Sequence, residues 1–209
     1  MIHVERVGTV VVITADDGEN RFSPDSLDEW SAALDQVEGD ASVTALVTTG
    51  SGKFYSNGLD VALISEPYLD RVVALLARVL ALPVVTVAAV NGHAFGAGAM
   101  LMLAHDQRLM RADRGYFCLP EVDLGMWFMP IMSALVQSKL SHRTAQEAMT
   151  LGVRYGGPQA LAGGIVHALA PESALLDDAL ALAGERGGKD RAALAAIKAD
   201  VYAGVLQHR

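Results

Sequence analysis

The sequence predicts an α/β fold built on a parallel sheet, and three observations point to it. Short β-rich runs alternate with longer segments of helical periodicity, in the order strand, helix, strand, helix, strand. The run VVTVAAV (84–90) is apolar throughout, as a strand covered on both faces would be. The chain has 209 residues, 52% of them hydrophobic and 19% charged, enough to fill one core.

Residues 2–7 and 9–14 are β-rich and separated by Gly8, so they read as an opening hairpin. Ser23-Pro24-Asp25 is a helix start, a hydroxyl cap followed by proline at the first helical position. Leu27, Trp30, Leu34 and Val37 then recur at helical spacing, and the helix ends near Gly39. VTALVTT (43–49) is a strand, followed by the polar loop GSGKFYSNG (50–58) and a short helical segment opened by Asp60. Pro67 and Pro83 bracket a longer helix with Val72, Leu75, Leu76, Val79 and Leu80 on one side. After the strand at 84–90, the glycine-spaced loop 91–96 runs into an apolar helix. Beyond residue 130 the chain reads as mostly helical, with a turn at 152–158 and a break at 183–191. The last two helices are expected at about 172–183 and 190–206.

Charge and cysteine content narrow the function. The net charge is −8 and the 16 Lys and Arg residues form no basic run, which argues against nucleic acid or an anionic membrane as a partner. Cys118 is the only cysteine, so an intrachain disulfide and cysteine-cluster metal sites are excluded. No window of membrane-span length lacks polar breaks, and MIHVERVGTVVVIT alternates where a signal peptide would carry an apolar run. These features lead us to expect a soluble cytoplasmic protein.

Ligands of parallel α/β sheets meet the carboxyl ends of the strands, where the loops 50–58 and 91–96 lie. A helix N-terminus exposes unpaired N–H groups and the positive end of its dipole. Gly92, Gly96 and Gly98 permit a tight bend and close approach of a ligand to the backbone. GAGAML lacks the third glycine of a dinucleotide fingerprint, and no P-loop lysine follows. KFYSNGLD supplies a second glycine bend, so the N–H groups of Leu59 and Ala97 could converge as an oxyanion hole for a carbonyl oxygen that gains charge. Glycines that merely let a helix pack on a strand are the structural alternative.

Together KFYSNGLD and VAAVNGHAFGAGAMLMLAHDQRLMRADRGYFCLPEVDLG resemble the enoyl-CoA hydratase/isomerase (crotonase) family over roughly residues 1–170. The resemblance implies a crotonase (ClpP-like) spiral of ββα units over 1–170. A shortened helical C-terminal part, 171–209, would follow without forming an independent domain. It further implies a homotrimer or hexamer, and an acyl-CoA thioester whose carbonyl is held by Leu59 and Ala97. Ser56, Asn57, Gly58 and Asp60 on one loop, and Gly96, Met100 and Trp127 on the other side, would contact the substrate. Coenzyme A belongs to the substrate, and neither a metal nor a separate cofactor is expected.

Hydratases of the family carry one glutamate just after the second oxyanion donor and another about twenty residues on. Here the first position is Met100, which cannot exchange a proton, and the second is Glu121. Moving a double bond from C3 to C2 needs one base, whereas adding water ordinarily uses two carboxylates. The pattern therefore resembles the single-glutamate Δ3,Δ2-enoyl-CoA isomerases, with Glu121 as acid and base. Apolar neighbours, among them Phe117, Leu119, Met126 and Phe128, would raise its pKa if it is buried among them. The alternatives are a hydratase or other enolate reaction run by Glu121 alone, and an acyl-CoA-binding homologue without turnover.

Other polar residues read as structural first. Asp106 would lie roughly 13 Å from Ala97 along a helix. His93 and His105 lack the spacing and acidic company of a metal site. Asp60 reads as a helix-start residue, and Asp123 as the substitute base if Glu121 is not the one. Ser56 is not in a GxSxG elbow. Lys198 reads as a solvated surface lysine, with contact to a CoA phosphate as the alternative.

Overall fold

The computed structural model describes residues 1–209. Strands β1 (Ile2–Val7) and β2 (Val10–Ala15) form the expected antiparallel hairpin. A repeating unit follows, in which a main-sheet strand leads into one or two very short strands and then a helix. The first unit continues from β2 through β3 (Arg21–Phe22) into α1 (Pro24–Gly39). The second is β4 (Ala45–Gly50), β5 (Phe54–Ser56), β6 (Gly58–Leu59) and α2 (Glu66–Ala81). The third is β7 (Val85–Val90), β8 (His93–Phe95) and α3 (Ala97–Ala104). The fourth is β9 (Gln107–Arg111), β10 (Phe117–Cys118) and α4 (Pro130–Lys139). Then come α5 (His142–Leu151), α6 (Gly157–Ala162), β11 (Ala168–Ala170), α7 (Leu175–Arg186), α8 (Arg191–Val201) and α9 (Ala203–Leu206).

The main sheet has the order β1-β2-β4-β7-β9-β11 and is parallel except for β1. A second sheet, β10-β8-β5, is parallel, and β3 pairs with β6. The loops 50–58 and 91–96 were expected to be irregular, yet they contain β5, β6 and β8. Runs of two or three residues carry too little periodicity to be read from sequence; pairing with neighbouring turns of the spiral makes them strands.

Both faces of the main sheet are covered, which explains the apolar run at 84–90. Val85, Val87 and Ala89 face one way and pack with Val10, Val47 and α7 residues Leu175, Ala179 and Ala183. Ala88 and Val90 face the other way, into the large core with α1, α2 and α3. All eight residues of α3 are buried, so this helix is apolar all round rather than amphipathic.

Polar side chains in this core are paired. His105 Nδ1 lies 2.8 Å from the Leu101 carbonyl, which only a protonated nitrogen can satisfy. Its Nε2 is then the acceptor at 2.9 Å from Thr48 Oγ1, and Thr48 in turn accepts from Tyr55 OH at 2.7 Å. Desolvation pushes the His105 pKa down to about 4, so the ring stays neutral and the chain of donors keeps one direction.

The first C-terminal helix lies within a few residues of its expected limits and the second is broken at Tyr202 into α8 and α9, but Lys198 departs from expectation. It is neither solvated nor near the candidate site: it is 4% exposed, and its Nζ contacts Val84 O at 3.0 Å and Asp106 Oδ2 at 2.6 Å. Asp106 also accepts from Thr86 N and Oγ1 at 2.9 and 3.1 Å, so it is structural, as its distance from Ala97 implied. The periodicity of α8 hid this pairing because the partner lies 92 residues away.

Replacing Thr48 by Val should leave the His105 Nε2 and the Tyr55 hydroxyl without partners in a dry core. We expect a loss of about 1–3 kcal/mol, read as a lower urea midpoint at unchanged slope.

Candidate active site

Two backbone segments meet at the carboxyl end of the sheet, and absent side chains permit it. A Cβ on Gly98 would stand 2.4 Å from Ser56 O and 2.7 Å from Ser56 Oγ. A Cβ on Gly58 would stand 2.6 Å from Phe95 O and 3.0 Å from Ala97 N. Gly58 also has φ +76°, a left-handed conformation that favours glycine. The first turn of α3 therefore lies directly against the 56–58 backbone. Its first N–H, that of Ala97, precedes the helical ladder, which opens with Met100 N donating to Gly96 O.

The Leu59 N–H is oriented by its neighbours. Asp60 N donates to Tyr68 OH, whose hydroxyl donates to Phe22 O on the paired strand. The Asp60 N–H thus faces β3 through this hydroxyl, which fixes the peptide that follows Leu59. Gly58 lies between this donor and Ala97, and its own N–H is taken by Ser56 Oγ at 3.1 Å.

Two chambers meet at this point. One, of about 260 Å³, is lined by Leu59, Ala97, Met100 and Glu121 together with Ile64, Leu69, Met126, Trp127, Phe128, Met129 and Met132. The other, of about 240 Å³, is more polar and includes Arg21, Asn57, Phe95 and Gly96. Leu59, Ala97, Glu121 and Met126 line both chambers, and Glu121 is the only carboxylate in either lining.

Glu121 sits in the turn that follows Pro120, with its carbonyl accepting from Leu124 N and Met126 N. It is 8% exposed, and its Oε2 has no hydrogen-bond partner. Burial pushes its pKa up from the ordinary value near 4.5 to about 7. A Cβ on Gly96, which has φ +51°, would lie 3.3 Å from Glu121 Oε1, so a side chain there would press on the carboxylate. Of the apolar neighbours named from sequence, Phe117 and Leu119 are buried, whereas Met126 and Phe128 are half-buried.

Most of the expected site residues come together, whereas Ser56, Gly58 and Asp60 line neither chamber. Asn57 and Gly96 line the polar chamber, Met100 the apolar one, and Trp127 its rim, 85% exposed. Ser56 lines neither chamber: it is buried, and its hydroxyl donates to Asn20 O while accepting from Gly58 N. Asp60 also lines neither, because its Oδ1 accepts from Ala62 N and caps the short 3₁₀ turn Val61–Leu63. It is the helix-start residue that its position suggested. Asp123 is exposed and outside both linings. No three His, Cys, Asp or Glu side chains gather as a metal site would require. Arg21, Ile64, Leu69, Met129 and Met132 were missed, since the elements that carry them reach the site only through the spiral. For Met129 and Met132 the start of α4 at Pro130 was the one available signal.

Residues 5–208 match the family model described as enoyl-CoA hydratase/isomerase. The chain is 34% identical to enoyl-CoA delta isomerase 2, peroxisomal, of Arabidopsis thaliana, over 92% of this chain and 85% of that one. It is 31% identical to carnitinyl-CoA dehydratase of Escherichia coli, over 96% of this chain and 79% of that one. Among solved structures, an apo enoyl-CoA isomerase of Mycobacterium tuberculosis superposes with a TM-score of 0.93 at 28% identity, covering 99% of this chain and 93% of that one. No helix is long and apolar enough to cross a membrane. The repeated ββα units, the paired glycine bends and the match along almost the whole sequence agree: this chain belongs to the enoyl-CoA hydratase/isomerase family, with the crotonase fold.

Proposed function

We propose that this protein is an enoyl-CoA isomerase that moves a 3-enoyl-CoA double bond to the 2-trans position, with Glu121 as its single acid and base. The observation that carries this reading is one buried carboxylate with a free oxygen, alone at the junction of two chambers. The isomerase names of relatives such as the Arabidopsis protein support it.

The thioester carbonyl oxygen would lie between the N–H groups of Leu59 and Ala97, with the acyl chain in the apolar chamber. Glu121, as carboxylate, takes a proton from C2. The electron pair spreads over the dienolate, and the negative charge that collects on the thioester oxygen is stabilised by the two N–H dipoles. Glu121, now a carboxylic acid, returns the proton to C4, and the double bond lies between C2 and C3. No redox change occurs and no water is consumed, so neither a redox cofactor nor a metal is required. A pKa near 7 suits a group that must accept and release the same proton. Hydration by two carboxylates has no second acid here, since Met100 occupies the neighbouring wall. A homotrimer or hexamer, and the reducing cytoplasm that suits buried free Cys118, complete the proposal.

Products after incubation with a 3-enoyl-CoA and, separately, a 2-enoyl-CoA test the reading. We expect only the 3-enoyl ester to be converted, and Glu121→Gln to lower kcat by at least about a hundredfold. Formation of a 3-hydroxyacyl-CoA from the 2-enoyl ester would instead establish a hydratase; binding of both esters without conversion would establish a non-catalytic homologue.

The protonation state gives a second expectation with a definite sign. Because the free enzyme needs the carboxylate, kcat/KM should rise with pH through a midpoint near 7. Stability should move the other way. Between about pH 4.5 and 7 the folded Glu121 holds a proton that the unfolded chain has released, so stability falls as pH rises across that window. Glu121→Gln removes the cost of burying the charge. It should be more stable than wild type by up to about 3 kcal/mol at pH 8, and about equal to it near pH 4, in urea titrations.

A further inference from the structure

We infer that Tyr68 is a positioning residue of the oxyanion hole, acting through the backbone on the Leu59 N–H without touching the substrate. Its hydroxyl bridges two backbone groups that flank this donor. It accepts from Asp60 N at 3.0 Å, one residue after Leu59, and donates to Phe22 O at 2.5 Å, on the strand residue paired with Leu59. The hydroxyl is thus wedged into the open end of the β3–β6 pairing, which is only two residues long.

The neighbourhood shows why such a bridge is needed. β6 carries the donor, yet two residue pairs hold it to β3 and the next residues, Val61–Leu63, form a 3₁₀ turn with no buried residue. On the N-terminal side Ser56 Oγ holds Gly58 N and Asn20 O. On the C-terminal side Tyr68 makes the equivalent bridge, and it stands on α2, a sixteen-residue helix fixed in the core through Val72, Leu76 and Val79. The ring itself is 5% exposed and belongs to the same core. Burial raises its pKa, so the proton donated to Phe22 O is retained across the working range of pH. Without the hydroxyl, Asp60 N and Phe22 O lose their partner, the peptide after Leu59 loosens, and the preceding Gly58–Leu59 peptide, which carries the donor, can turn with it through the torsions of Leu59. An oxyanion hole acts only when its donors are already aimed at the developing charge, so rotation costs turnover more than binding.

The role rests on the isomerase reading above, and one set of measurements separates the two. Wild type, Tyr68→Phe and Tyr55→Phe would be assayed with the same 3-enoyl-CoA. The red shift of the enoyl chromophore in bound 2-enoyl-CoA would report polarisation of the carbonyl. Tyr55→Phe removes a comparable buried hydroxyl, the partner of Thr48, from the core. Tyr68→Phe should lower kcat about 10- to 100-fold, change KM by less than about threefold, leave the pH midpoint of kcat/KM in place, and weaken the red shift. Tyr55→Phe should lower the urea midpoint and keep kcat and the red shift. A Tyr68→Phe kcat within about twofold of wild type, or equal losses of kcat in both variants, would overturn the positioning role. If wild type converts no 3-enoyl-CoA, the isomerase reading fails, while the red shift still decides: an undiminished shift in folded Tyr68→Phe removes the inference as well.

Discussion

The structure depends on the contact of two backbones, the start of α3 against residues 56–58. Gly58 and Gly98 have no space for a side chain because each faces carbonyl oxygen or amide nitrogen of the other segment. Such an approach fixes the two segments against each other. It also sets where the chambers can open. The spiral supplies the approach: β5 and β8 pair in one small sheet, so the loops after consecutive main-sheet strands run side by side. Gly92, whose Cβ would come within 2.1 Å of Lys53 O, marks the same closeness at the start of that pairing.

Around this contact the polar groups fall into two classes. Those holding the frame are satisfied, from Ser56 and Asn20 to the chain linking Tyr55, Thr48 and His105. Glu121 is different, because one of its oxygens is buried and unpaired, as is only His93 Nδ1 besides. An unpaired carboxylate in an apolar wall is costly to ionise, and the chain bears that cost where proton transfer would use it. Apolar neighbours and the absence of any cation in contact have one effect: both keep the acid near neutrality instead of fully ionised.

The amino-terminal end of the strands is closed by different means. Asp106, at the end of α3, takes Lys198 from α8 and Thr86 from β7, which ties the C-terminal helices to the strand preceding the site. Lys139, on α4, donates to Tyr202 OH at 2.7 Å just before α9, with its own pKa drawn down to about 7 by burial. The short C-terminal part is thus held to the body by buried polar contacts as well as by the apolar packing of α7.

Sequence alone was enough for the hairpin, α1 with its Ser23 cap, α2, the doubly covered strand at 84–90, and the pairing of Met100 with Glu121 as the question that bears on chemistry. Each is a local signal: a cap, a period, a run of apolar residues, or a spacing within a recognisable family pattern. Only the tertiary structure showed that the Ser56 hydroxyl is held by backbone groups, that Lys198 is buried, and that Met129 and Met132 reach the same chamber as Leu69. It alone brought β3 to β6 and Tyr68 to Leu59. These outcomes depend on which distant segment arrives beside a residue, and a two-residue strand or a single lysine carries no periodicity that could announce its partner. The physical reason is range: propensity and pattern act within a turn or two of chain, whereas burial and hydrogen-bond partnership are decided by the close packing of neighbouring turns of the spiral.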